Sequence, residues 1–299
     1  MTKTPNPVLK KLGLSNNDRV AIIHTDDIGM CQASVEAFAD LNEVGIISSG
    51  AVMVPCPWFL LAAEYARAHT QIDLGVHLTL TSEWKTYRWG PLSTRDPVSG
   101  MLDEEGCFHH TSEKVQEHAD PAAVELELTA QVEHAVQAGL QPTHLDTHMG
   151  TVAHPKFMSS YLMVAMKSHL PLMIFRLDEA GWRAIGLDAE FAQEAAAFVQ
   201  QLEGSGMPLL DWLGGMHLDS VENRLERTKQ AFSELQPGIT HFIIHPSKDT
   251  PELRAMTPTW RYRVADYQNF MNDDMRQYIQ NIGVQVIGYR ALKELLSAA

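Results

Sequence analysis

The sequence predicts an α/β protein, a single-domain distorted or partly open (β/α)7-8 barrel. Three observations point there. Apolar runs of strand character alternate with amphipathic helical windows along 299 residues, a pattern that favours a parallel sheet with helices outside. Titratable residues gather at the C-terminal ends of those runs, the edge at which α/β folds bind ligands. No Gly-x-Gly-x-x-Gly turn follows the first strand and no Gly-Lys-Ser/Thr phosphate loop is present, which disfavours a nucleotide-binding sheet.

Residues 1–18 read as an N-terminal extension and 19–299 as the barrel domain. The stretch Arg19 to Met30 opens with the apolar run Val20-Ala21-Ile22-Ile23, read as the first strand, and ends in Asp26, Asp27 and a glycine, as suits a strand covered on both faces. Two adjacent carboxylates repel, so a nearby cation or water is needed to hold both ionised. A capped turn at Gly29 is the plainer use of the same residues.

Helical spacing from Cys31 to Val44, closed by Gly45, completes the first unit. Ile46 to Val54 reads as the second strand, a helix follows from Trp58 to Ala68, and Ile72 to Leu80 is the third strand with His77 near its end. Residues 81–120 have weak periodicity and read as a long lid or binding loop, or else a mobile segment. Asp120 and Pro121 then open a helix that runs to Ala138, and Thr143 to His148 is the fourth strand. Helices are expected over Lys156 to Ser168, Ala189 to Leu202, Ser220 to Leu235 and Tyr262 to Ile279, with another at the C-terminus. Strands are expected between them over Leu172 to Leu177, Leu209 to Leu213, Ile239 to His245 and Val284 to Ile287.

Composition narrows the function. A formal net charge of -14 argues against a nucleic-acid partner, because phosphate neutralisation needs clustered Lys and Arg. The three cysteines are widely spaced and odd in number, which points to a reducing compartment rather than a disulfide framework. With no apolar stretch long enough for a bilayer, a soluble cytoplasmic protein with no membrane partner is expected. A homo-oligomer stays open.

The fourteen histidines repay inspection. His77 alone fits a hydrogen-bonded core residue. In Thr143-His144-Leu145-Asp146-Thr147-His148, a period of two puts His144, Asp146 and His148 on one face. One carboxylate with two imidazoles suits a divalent cation that keeps a position open for water, and Asp27, His77 and His148 can supply that set. His245 ends the apolar run His241-Phe242-Ile243-Ile244, either as a site residue or as a strand cap. Arg176 is able to anchor a carboxylate, orient Asp26 or form a structural ion pair. Trp84, Tyr87, Trp89 and Trp260 offer sugar-stacking planes or loop packing.

His24-Thr25-Asp26-Asp27-Ile28-Gly29, Gly75-Val76-His77-Leu78-Thr79-Leu80, Pro142-Thr143-His144-Leu145-Asp146-Thr147-His148 and Ile244-His245-Pro246 together resemble the YdjC-like carbohydrate deacetylases. That group contains chitooligosaccharide deacetylase and the hopanoid-biosynthesis deacetylase, and is distantly related to the NodB-type polysaccharide deacetylases. The resemblance runs from about Arg19 to Leu292 and implies a metal-dependent hydrolase that removes acetyl from N-acetylated amino sugars. It also implies that Asp27, His77 and His148 are metal ligands, Asp26 the base, His245 the general acid and Arg176 the arginine that holds the base. His144, Asp146, Trp84, Trp89, Trp260 and Arg263 then back the ligands or meet substrate. After His148 the chain departs from the family, reading Met149-Gly150-Thr151-Val152-Ala153-His154-Pro155 where many members carry further histidines.

The expected cofactor is one divalent ion, zinc or magnesium, and the expected partner a small carbohydrate. The acid is expected to titrate near neutrality. The rival readings are hydrolysis of another small amide or ester, and a sugar-binding barrel without catalysis.

Overall fold

The computed structural model describes residues 4–184 and 188–297, so residues 1–3 of the N-terminal extension lie outside the described residues. The strands are β1 (Arg19–Ile28), β2 (Ser49–Val52), β3 (Leu74–Leu78), β4 (Leu145–Thr147), β5 (Trp212–Gly215), β6 (Gly238–Ile244) and β7 (Gln285–Val286). All pair in parallel, in the order β4-β3-β2-β1-β6-β5. Among the described residues, two isolated bridges, Leu145 to Leu172 and Phe175 to Leu210, join the two ends between β4 and β5. The sheet therefore curls into a distorted barrel whose ring is thin at that seam.

β1 organises the ring. Its residues Arg19 to Thr25 pair with β6 along one edge, and the other edge is divided between β7 at Val20 and Ala21 and β2 from His24 upward. The end where the strands begin is plugged by Val8 and Leu9 of the helix Pro7–Lys11 and by Tyr289 and Leu292 of the helix Tyr289–Ser297, packed on Val20, Ile22, Leu210 and Ile239. Asn6 ties this plug down by donating to Asp211 Oδ2 at 2.7 Å. Asp26 and Asp27 lie toward the opposite end of β1.

Several elements differ from expectation. Leu172 to Leu177 is no regular strand, because Leu172 meets the start of β4 while Phe175 meets Leu210, ahead of β5, leaving one bridge on each side. Val284 to Ile287 shortens to β7, which pairs with the lower half of β1 outside the ring. The helix expected over Tyr262 to Ile279 is two, Trp260–Phe270 and Asp273–Asn281, because Asn272 is extended and caps the second, accepting from the Asp274 amide at 2.9 Å. Short helices at Ser112–His118, Glu179–Ala184 and Pro251–Met256 were not expected.

Residues 81–120 are packed against the domain. Arg88 clasps the segment by donating to Ser82 Oγ, Asp103 Oδ2 and the Phe108 carbonyl at 3.1, 2.5 and 2.7 Å. Trp84 and Trp89 are buried in the main core cluster, their rings edge to face at 5.3 Å. Among the described residues no helix is long and apolar enough to cross a membrane.

Candidate metal centre and active site

Neighbouring residues of a strand face opposite ways, so Asp26 and Asp27 need a local irregularity to share a site. β1 provides one: its register against β2 slips between Thr25 and Ile28, and Asp27 sits at φ 61°. That is the left-handed region, uncommon for any residue but glycine and concentrated at functional positions. As a result His77 Nε2 stands 3.8 Å from Asp26 Oδ2 and 3.5 Å from Asp27 Oδ1.

Asp27, His77 and His148 converge, all buried. His148 Nδ1 is 3.0 Å from Asp27 Oδ1 and 3.3 Å from His77 Nε2. Donor atoms held about 2.1 Å from one ion stand roughly 3.0 to 3.4 Å apart, so these separations fit the edges of a coordination shell. Asp27 Oδ1 is buried without a hydrogen-bond partner, although buried carboxylate oxygens ordinarily have one. The triad fits a divalent cation.

The groups behind the triad aim it. His77 Nδ1 lies 2.9 Å from Asp146 Oδ1, which directs Nε2 to the triad, and His148 Nε2 lies 3.3 Å from Glu83 Oε2, which directs Nδ1 there. Arg263 Nη1 donates to Asp27 Oδ2 at 2.7 Å and leaves Oδ1 to the site. Glu83 has no counterpart in the sequence reading. It lies in the aperiodic segment after β3, where no strand end or helix face marks it.

Electrostatics follow from this packing. Burial alone would raise the Asp27 carboxyl, but Arg263 and His148 outweigh it and hold the group well below the usual range. For Asp26 burial is likewise outweighed, here by His77, His24 and His245. Burial works against a charged His148, yet Glu83 and Asp27 push it up to about 9. His77 is raised well above its ordinary value by Asp146 and Asp26, again against burial. A cation binding at the triad replaces a proton on each ring.

His245 Nε2 lies 3.9 Å from Asp26 Oδ2. Its expected titration near neutrality is corrected by the structure: burial, with Arg263 and His77 adding to it, drives the ring down to about 4. The neutral ring is its resting form.

The role expected of Arg176 is also corrected. Arg176 does not reach Asp26; it pairs with Glu203, donates to Asp211 Oδ1 at 2.9 Å and to the Thr4 carbonyl at 3.1 Å. Asp211 in turn accepts from the Ile239 amide at 2.8 Å, at the end of the sheet where β6 begins. What contacts Asp26 Oδ1 instead is His24 Nδ1, at 2.7 Å.

His144 lies deeper in the ring, 2.9 Å from His24 Nε2. Trp89 donates to the Thr81 carbonyl at 2.8 Å and is enclosed, as loop packing requires. Trp84 is buried with the Arg263 guanidinium 5.8 Å from its ring. Trp260 is half-buried, with Arg254 and Arg261 over its ring at 4.8 and 4.6 Å.

Fold and site together define a YdjC-like protein, and the chain belongs to that family, whose model matches residues 20–281. Among its relatives is a carbohydrate deacetylase of Thermus thermophilus, 31% identical over 297 residues, with 97% of this chain and 99% of the relative covered. A carbohydrate deacetylase of Vibrio cholerae is 29% identical over 275 residues, covering 91% of this chain and 95% of its own. An Enterococcus faecalis crystal structure, named for cellobiose-phosphate cleavage, superposes with a TM-score of 0.73 at 22% identity, covering 92% of this chain and 99% of that one, and has the same fold.

Proposed function

We propose that this chain is a metal-dependent hydrolase that removes the acetyl group from N-acetylated amino sugars or oligosaccharides. The observation that carries the reading is the Asp27, His77 and His148 triad with Asp26 and His245 on its rim. The carbohydrate deacetylases among its relatives support the substrate class.

Asp27, His77 and His148 would hold the ion, which when bound lowers the pKa of a water and polarises the amide carbonyl. Two imidazoles with one carboxylate favour zinc or another transition ion over magnesium. Asp26, held ionised, takes the proton of the attacking water at Oδ2. His245, neutral at rest and 3.9 Å from that oxygen, receives the proton and passes it to the departing nitrogen. The three free cysteines support a reducing, cytoplasmic setting.

The test is acetate release from N-acetylglucosamine oligomers by metal-stripped protein, with and without Zn²⁺, Mg²⁺, Mn²⁺ or Co²⁺, beside Asp26→Asn. Metal-dependent acetate that falls about 10²-fold or more in the variant supports the reading. Folded, metal-loaded protein that releases none moves the substrate to another amide or ester, and tight sugar binding without turnover makes the barrel a binding protein.

A further inference from the structure

Behind Asp26 the barrel interior is polar. His24, His144 and Thr143 are buried at 0, 0 and 1% exposure, and they form one chain of contacts leading away from the site. Asp26 Oδ1 meets His24 Nδ1 at 2.7 Å, His24 Nε2 meets His144 Nε2 at 2.9 Å, and His144 Nδ1 meets Thr143 Oγ1 at 3.1 Å. Thr143 Oγ1 donates to Asp73 Oδ1 at 2.6 Å. Asp73 also accepts from Ser49 Oγ at 3.0 Å and from the Arg290 amide at 2.6 Å.

With Asp73 ionised, counting protons along the chain fixes who donates. A threonine hydroxyl has one hydrogen, and here it goes to Asp73. His144 Nδ1 must therefore donate to Thr143 Oγ1. A neutral imidazole donates from one nitrogen only, so His144 Nε2 is an acceptor, and His24 Nε2 must donate to it. His24 Nδ1, against a carboxylate oxygen, donates as well. A neutral His24 would set two lone pairs 2.9 Å apart unless Asp73 carried a proton; burial pushes the Asp73 carboxyl up, while two donors besides Thr143, the Ser49 hydroxyl and the Arg290 amide, favour its carboxylate.

We infer that His24 is a doubly protonated positioning residue for Asp26, with its charge dictated by the relay Asp73–Thr143–His144. Its Nε2 also lies 3.5 Å from Asp146 Oδ2, so the cation is flanked by two carboxylates. It engages Asp26 Oδ1 and leaves Oδ2 facing His77 and His245. The base thus has a buried cation beneath it where Arg176 was expected.

Two features fix the His144 ring. Tyr289 stacks on it at 3.8 Å with 10° between the planes, and Gly75 leaves it room, since a Cβ there would lie 2.4 Å from His144 Cε1. Burial, then the nearby His24, keeps His144 well below the usual histidine range, as an acceptor nitrogen requires. His24, Asp26, Asp146 and His241 also satisfy the spacing of a second cation cluster, within 4.8 Å. Both nitrogens of His24 and Oδ1 of Asp26 are engaged in hydrogen bonds, however, so the relay accounts for them better.

The inference rests on the proposed function only for the role of Asp26. Its test is therefore a nitrogen-15 spectrum of histidine-labelled, zinc-loaded protein at neutral pH, where the long-range N–H pattern reports which nitrogens are protonated. The expected result is an imidazolium signature, assigned to His24 by its loss in His24→Asn. In Thr143→Val, His144 loses the acceptor for Nδ1–H and turns to the Nε2–H tautomer, so His24 becomes neutral with its proton on Nδ1. Thr143→Ser keeps the hydroxyl and the wild-type spectrum, which separates the relay from a folding defect.

In acetate release, Thr143→Val is expected to lower kcat by roughly tenfold, a share of what a base is worth, with KM unchanged, and Thr143→Ser to restore it. A neutral His24 in the wild type, or an imidazolium that persists in Thr143→Val, would overturn the relay. An inactive wild type with the expected spectrum overturns the proposed reaction and leaves the relay standing.

Discussion

Arg263 Nη1 stands 2.7 Å from Asp27 Oδ2 across 236 residues of sequence, and it leaves the other oxygen of that carboxylate turned toward His77 and His148. Both partners are buried, so the guanidinium both compensates the carboxylate and sets its rotation. Arg263→Met is expected to weaken zinc binding by roughly 10- to 100-fold. Competition against a chromophoric chelator measures it, and an unchanged affinity would remove Arg263 from the site.

Glu83 plays the corresponding part for His148. With the carboxylate replaced in Glu83→Gln, the amide can offer hydrogens to Nε2 and allow the tautomer that points its proton at the triad. Metal affinity is again expected to fall roughly tenfold or more. Thermal stability of the metal-free protein should change little by comparison.

Arg176 is predicted to matter for stability alone. Arg176→Met leaves Asp211 buried beside an apolar chain, and breaking a buried pair in this way costs about 3 to 5 kcal/mol. Denaturant unfolding should show that loss while kcat stays within twofold of the wild type, about the scatter of such assays, under conditions where the variant is folded. A large kcat defect at full folding would restore the arginine to catalysis.

Acid sensitivity has a defined source and sign. Burial, followed by the nearby His24, holds both His144 and His241 well below the ordinary histidine range, so the folded protein keeps them neutral. The unfolded chain binds a proton at each near pH 6.5. Their contribution is thus fully present above about 6.5 and is lost as pH falls, at about 1.4 kcal/mol per pH unit for each group. His241→Gln should shrink the stability difference between pH 7 and pH 5.5 by about 1.4 kcal/mol in urea titrations. An unaltered difference would mean that His241 titrates while folded.

Strand ends were legible because side-chain parity and apolar runs are local. The period of two that set Leu145 apart from His144, Asp146 and His148 survives in the structure, where Asp146 and His148 reach the triad from behind and in front and His144 lies below. Register is not local, and that is why Arg176 was misplaced. A stretch resembling a strand forms its bridges at Leu172 and Phe175, and the stagger carries Arg176 to Leu210, whose carbonyl accepts from its amide at 2.7 Å. Glu83 and Arg263 sit in a loop and on a helix, with nothing in their neighbours to announce a partner 65 or 236 positions away. The break at Asn272 was readable, since an asparagine followed by Asp273 and Asp274 is a helix start.

Pairing between Arg19 on β1 and Gly238 on β6 has a further consequence, during synthesis. β1 must wait for the synthesis of β6, far along the chain, before the edge they share is covered. Until His245 and Arg263 emerge, the nascent chain exposes an unpaired apolar strand with two uncompensated carboxylates at its tip, a species prone to association. Shielding of β1 until β6 is made is where a chaperone would act during translation.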